Sequence, residues 1–215
     1  MTLRAAIARR LAAAAFAGFA LVAPASAHPH VWVTMHTELV YAPDGSITGV
    51  RHEWTFDDMF SAFATQGLEA KVKGQFTREE LAPLAKVNVE SLNDYGYFTY
   101  VTADGKKAPL TDPAPGYWLE YKDTILTLHF MLLFKDPVKA KSMTIEIYDP
   151  TYFIDFAFAK KEPVHIVNFP HGCKAQVAVP QEMTFAEGKK LSNEGLAATL
   201  NWGANFANKI MVSCP

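Results

Sequence analysis

The sequence predicts an α+β fold, an antiparallel β-sheet or sandwich-like core with two or three packed helices. Three observations predict it. Short runs of β-branched and aromatic residues recur through the chain, each closed by a Pro, Gly or Asp break. Only a few stretches carry helical spacing. Half of the 215 residues are hydrophobic, enough to bury a core of ordinary domain size. There is no internal repeat and no low-complexity linker.

Residues 1–27 have the three parts of an export signal: Arg4, Arg9 and Arg10, an apolar run over 11–22, then Ala25-Ser26-Ala27. Cleavage after Ala27 releases a single exported domain, 28–215, whose first residue is His28. No cysteine follows the small residues and no full twin-arginine motif is present, so a freely soluble exported product is expected. The apolar runs at 11–22 and 124–134 are both short for a membrane span, so no transmembrane segment is expected in the mature chain.

The body opens with two strands, 31–41 and 47–56, around Pro43-Asp44-Gly45, the signature of a hairpin turn. Pairing Ala42 with Ser46 sets His36 opposite His52, Trp32 opposite Phe56 and His30 opposite Asp58. A slip of one residue exchanges every partner. A short helix is expected over 61–70, with Phe60, Phe63 and Leu68 as its apolar members. A second is marked by the capping box Thr77-Arg78-Glu79-Glu80, with Leu81, Leu84, Ala85, Val89 and Leu92 following and Pro83 in or near the first turn. Strands then follow at 97–102, after Asp104-Gly105, and at 117–121, 124–134, 142–148, 152–158, 165–169 and 175–179. A final helix is expected over 191–210, with Leu196, Leu200 and Phe206 facing inward.

Lys and Arg number 20 against 22 Asp and Glu, and the leader holds three of the arginines and no acid, leaving 17 against 22 in the exported part. That mildly acidic balance excludes a binder of nucleic-acid backbone, which needs a basic face. Cys173 and Cys214, both exported, read as one disulfide tying the C-terminal segment to the body. Closing a loop of about 40 residues contributes roughly 3 to 4 kcal/mol in the chain-entropy account. A thiolate ligand beside His171 is the weaker alternative, because no C-x-x-C pair is present.

No catalytic residue is indicated: Ser61 lacks a nucleophile-elbow context, and Asp149-Pro150 reads as a turn. The chemistry-bearing residues are histidines. Once His28 is the N-terminus, its α-amine and imidazole can chelate one ion as a histidine brace, a copper arrangement; otherwise it is a frayed end. Pro29 has no N–H, which blocks the alternative chelate through backbone amides. His30 shares a strand face with His28, about 6 to 7 Å away, and Asp57 and Asp58 can come alongside. Imidazole with carboxylate suits zinc, nickel or cobalt; otherwise His30 packs on Trp32. His52 is a ligand with His36 or a half-buried histidine beside Trp54. His129 and His165 have no local partner and read as structural, His171 as a loop residue, and Phe153, Phe156 and Phe158 as core.

His28-Pro29-His30-Val31-Trp32, Arg51-His52-Glu53-Trp54-Thr55-Phe56-Asp57-Asp58 with Phe60-Ser61, Tyr148-Asp149-Pro150-Thr151-Tyr152 and the late cysteines together resemble the domain-of-unknown-function 1007 family. The resemblance implies an exported, periplasmic component of a transport system, encoded beside nickel/cobalt-type permeases, and so an inner-membrane metal permease as partner. The motif histidines fall on His28, His30 and His52 and the motif acid on Asp57. The expected function is a non-enzymatic accessory of transition-metal transport whose ligands to a divalent ion (nickel, cobalt or zinc) are His28, His30, His52 and Asp57. A histidine-brace copper enzyme and a metal-free docking module for a permease are the alternatives.

Overall fold

A computed structural model describes residues 29–180, 184 and 201–215. The expected export leader, His28 and positions 191–200 of the expected final helix lie outside the described residues.

The hairpin forms as read, β1 Val31–Tyr41 and β2 Ile47–Phe56. Asp44 fixes its turn by accepting from the Ser46 amide (3.0 Å) and hydroxyl (2.6 Å). Alternation then sends Val33, Met35 and Leu39 into the core and leaves Trp32, Thr34 and His36 on the other face. Ala42 does bond Ser46 (N–H to O, 2.8 Å). The expected pairs nevertheless fail further along, because a bulge intervenes. Tyr41 faces Ile47 but Val40 faces Gly49, leaving Thr48 extra, its hydroxyl donating to the Val40 carbonyl at 3.1 Å. His36 therefore faces Glu53, His52 faces Thr37 and Val33 faces Phe56. His36 and His52 stand on opposite faces of the sheet.

This larger sheet continues with β5 Leu110–Pro113, β6 Trp118–Lys122, β7 Ile125–Val138, β9 Ile154–Phe158 and β10 Val164–Val167. Its order is β10-β1-β2-β7-β5, with β9 sharing the β1 edge and β6 the β7 edge. Both β9 and β10 run parallel to β1, correcting the expectation of a wholly antiparallel sheet. The second sheet, ordered β11-β12-β8-β3-β4, is antiparallel and comprises β3 Thr99–Ala103, β4 Lys106–Lys107, β8 Ser142–Ile147, β11 Lys174–Ala178 and β12 Asn208–Ser213. Trp54, Leu128 and Phe156 of the first sheet and Ile145 and Ile210 of the second belong to one buried cluster.

Two α-helices are found among the described residues, in keeping with an α+β class dominated by sheet. The first, α1 Asp58–Ala64, starts on the Asp57 cap and stops at Thr65, shorter than expected. Phe63 is 74% exposed and the buried member is Ser61, whose hydroxyl donates to the Asp57 carbonyl (2.7 Å) and accepts from the Leu126 amide (3.0 Å). The second, α2 Arg78–Leu92, has the full capping box and buries Leu81, Ala85 and Val89. Pro83 lies in its second turn, next to the first and on the exposed side.

Two stretches depart from expectation. Tyr97 opens no strand: Gly96, Tyr97 and Phe98 take positive φ (58°, 53° and 49°) in a 3-10 turn, Asn93–Phe98, and β3 begins only at Thr99. The described end of the expected last helix is a 3-10 turn, Trp202–Phe206, followed by β12 between β8 and β11. A central sheet position with Ile210 fully buried overrides the helical spacing. The disulfide joins Cys173 to Cys214 as read.

The Tyr148–Tyr152 motif is a structural corner. The carboxylate of Asp149 accepts from the amides of Thr151 (2.8 Å), Phe153 (3.0 Å) and Ile154 (3.0 Å) and from the Thr151 hydroxyl (2.9 Å). The C-terminal turn packs so closely on it that a β-carbon at Gly203 would overlap the Asp149 carbonyl. Of the three expected core phenylalanines only Phe156 is buried, and Phe153 is 44% exposed at the corner's rim.

Candidate functional site

Strand register assembles a row of ionisable side chains on the outward face of the larger sheet. His36 on β1 faces Glu53 on β2, Glu53 faces His129 on β7, and His129 faces Trp118 on β6. The next level carries His165, Glu38, Arg51 and Met131. Because side chains two apart share a face, both levels point the same way. His36, Glu38, Arg51, Glu53, His129 and His165 line a shallow pocket of about 310 Å³.

Glu53 stands between two imidazoles. Its Oε1 is 3.7 Å from His36 Nδ1 and its Oε2 is 3.8 Å from His129 Nδ1. On the far side, His129 Nε2 is 3.7 Å from Glu120 Oε2. These separations are too long for hydrogen bonds. Two donors about 2.1 Å from a tetrahedral ion stand about 3.4 Å apart, so the spacing is close to that of a shared ligand set. Burial pushes the His129 pKa below its ordinary value, with Glu53 and Glu120 opposing. His129 is therefore a neutral imidazole at pH 7, the form that binds metals. Trp118 stacks on it (4.0 Å between centroids, 5° between planes), and the Arg78 guanidinium lies over Trp118 at 4.7 Å, so the ring is held in one orientation. His36 and Glu53 are each about half exposed and can rotate. At the next level His165 Nδ1 contacts Glu38 Oε2 at 2.8 Å, and Glu38 also pairs with Arg51.

The residues singled out in the sequence are placed differently. His30 is exposed at the start of β1 with its ring against Phe153 (4.6 Å), not Trp32, and its amide donates to the Phe153 carbonyl (2.9 Å). Asp57 holds backbone: Oδ2 accepts from Trp32 N–H and Oδ1 from Phe60 N–H, both at 2.8 Å, joining β1 to the α1 cap. His52 is fully buried, with Nδ1 3.3 Å from the Thr37 hydroxyl and Nε2 3.1 Å from that of Thr99, and burial pushes its pKa down to about 3. It lies level with Thr37, seven residues and roughly 23 Å of strand beyond His30. The structure does not bring His30 and His52 together. Among the described residues, no three His, Cys, Asp or Glu side chains are already gathered around one point.

The row itself was missed because its members are far apart in sequence. His129 and His165, read as lacking partners, meet Glu53 and Glu38 across strands. The available signal was phase: 36, 53 and 129 all fall on the polar side of their strands, and the correct register would have aligned them.

Comparison with known proteins gives a family and relatives. A family model described as "Protein of unknown function (DUF1007)" matches residues 13–214. An "Uncharacterized protein" of Haemophilus influenzae is 24% identical over 194 residues, covering 87% of this chain and 91% of the relative. An "Uncharacterized 15.5 kDa protein in trpE 3'region" of Spirochaeta aurantia is 30% identical over 107 residues, covering 49% of this chain and 75% of the relative.

Proposed function

The chain belongs to the DUF1007 family, and from that premise we propose that it is an exported accessory of divalent transition-metal transport, taking zinc, nickel or cobalt as cargo for a permease of the inner membrane. The observation that carries this reading is the row His36–Glu53–His129, two imidazoles flanking one carboxylate on an accessible sheet face, with Glu120 behind. Neutral imidazole plus carboxylate is the donor set these ions favour over calcium or magnesium. Rotation of the half-exposed His36 and Glu53 closes the ligands on the ion, while Trp118 keeps His129 fixed. The disulfide fits an oxidising compartment. No helix among the described residues is long and apolar enough to cross a membrane.

Asp57 and His52 take no part in this proposal, since one carries backbone amides and the other is sealed in the core. His30 lies outside the row, and with His28 it is the alternative place of capture. Calorimetry with each ion on the protein beginning at His28 tests the reading. Binding at one equivalent that weakens at least tenfold in His36→Ala/His129→Ala supports it. Affinity lost only in His30→Ala moves the site to the N-terminus, and no binding by wild type ends the metal reading.

A further inference from the structure

The two nitrogens of His129 stand in different surroundings. Its ring lines the outward pocket with His36 and Glu53, whereas Glu120 is not among the walls of that pocket. Nδ1 lies on the Glu53 side and Nε2 on the Glu120 side. Nε2 is buried with no hydrogen-bond partner among the described residues, and Nδ1 is not sealed in this way. An ion in the pocket therefore meets Nδ1.

A buried ring nitrogen without a partner is costly, so a polar group is expected to close on it. Trp118, opposite His129 on β6, covers the flat side of the ring by parallel stacking and offers Nε2 nothing. Thr127, opposite Glu120, has its hydroxyl 3.1 Å from that of Thr55. That leaves the half-exposed Glu120, and among the described residues His129 is the one ion-pair partner its carboxylate has. A small rotation of the Glu120 side chain brings its Oε2 from 3.7 Å to hydrogen-bonding distance. A carboxylate can only accept, so Nε2 carries the proton and the lone pair of the neutral ring falls on Nδ1. Glu53 makes the same demand on Nδ1, but it is shared with His36 and stands where the pocket is open to water.

We propose that Glu120 is a positioning residue: it holds His129 as the Nε2–H tautomer and so directs the Nδ1 lone pair into the pocket. Its use for cargo rests on the metal reading above, whereas the tautomer is a property of the metal-free protein. An ion on Nδ1 draws electron density from the ring, which makes Nε2–H a better donor and tightens its bond to Glu120.

The first readout needs no metal. Long-range 1H–15N correlation of the histidine rings at neutral pH identifies each ring nitrogen by its couplings to the carbon-bound protons and shows which one carries hydrogen. His129 should be the Nε2–H tautomer in wild type and in Glu120→Gln, whose amide oxygen still accepts, and a mixture of tautomers in Glu120→Ala. Zinc calorimetry supplies the second readout. The two variants lose the same charge, so Glu120→Ala should bind about tenfold more weakly than wild type, and Glu120→Gln should recover about threefold of that loss. In the zinc-loaded protein the Nδ1 resonance should shift while Nε2 stays protonated. A wild-type Nδ1–H tautomer, equal zinc losses in the two variants, or zinc on Nε2 would each overturn the proposal. A wild type that shows the Nε2–H tautomer but binds no zinc would uphold the pairing of Glu120 with His129 and end the metal reading instead.

Discussion

His52 gives a quantitative prediction about acid. Its imidazole is fully buried, and burial lowers its folded-state pKa to about 3, whereas an unfolded histidine titrates near 6.5. For a base whose folded pKa is depressed, the unfolded chain takes up the proton first. Stability is then complete above about pH 6.5 and is lost as pH falls from there toward 3. At about 1.4 kcal/mol per pH unit, acidification to pH 5 removes about 2 kcal/mol through this one residue. His52→Gln isolates the effect, because the amide can still donate to and accept from the Thr37 and Thr99 hydroxyls but does not titrate. Urea unfolding in chelator at pH 7.5 and 5.0 measures it. The wild-type midpoint should fall by about 1 M more than that of the variant, taking a slope of about 2 kcal/mol per M. His129, also depressed by burial, is common to both proteins and cancels. Asp44, Glu80 and Asp104, whose pKa values are lowered chiefly by hydrogen bonds, titrate below this window. Equal losses in wild type and variant would refute the assignment of His52 as a neutral core residue.

Three further outcomes follow from the fold. Asp57→Asn should leave metal affinity within twofold and cost about 1 kcal/mol in urea unfolding, since the amide keeps one acceptor oxygen and turns its NH2 toward the second backbone donor, while Asp57→Ala, which loses both acceptors, should cost about 2 to 3 kcal/mol. A tenfold loss of metal affinity in Asp57→Asn would return that carboxylate to the ligand set. Gly203→Ala should destabilise by about 3 kcal/mol in thermal unfolding, because its β-carbon meets the Asp149 carbonyl and neither backbone can retreat. Cys173→Ser/Cys214→Ser should lose about 4 kcal/mol for a separation of 41 residues, read by urea unfolding under oxidising conditions.

What could be read from sequence was local chemistry. The Pro43-Asp44-Gly45 turn, the Thr77–Glu80 capping box and the period-two strands each carry their signal within a few residues, and all three formed. The bulge at Thr48 has no such signal. It answers to pairing on both sides of β2, and one extra residue was enough to part His36 from His52. The parallel seating of β9 and β10 on β1 joins segments more than a hundred residues apart, beyond any local pattern. The same holds for β12, where burial between two strands overrode helical spacing. The candidate site suffered most. Motif residues drew attention to His52, which is buried, and Asp57, which accepts from backbone amides, while the accessible imidazoles lie on strands whose order only the folded sheet reveals.

The most direct measurement is X-ray absorption at the metal edge of the zinc-loaded protein, in wild type and in His36→Ala/His129→Ala. The account predicts two imidazole nitrogens and carboxylate oxygen at about 2.0 to 2.2 Å in wild type, and loss of both imidazoles in the double variant. An imidazole count that survives the double substitution would contradict it.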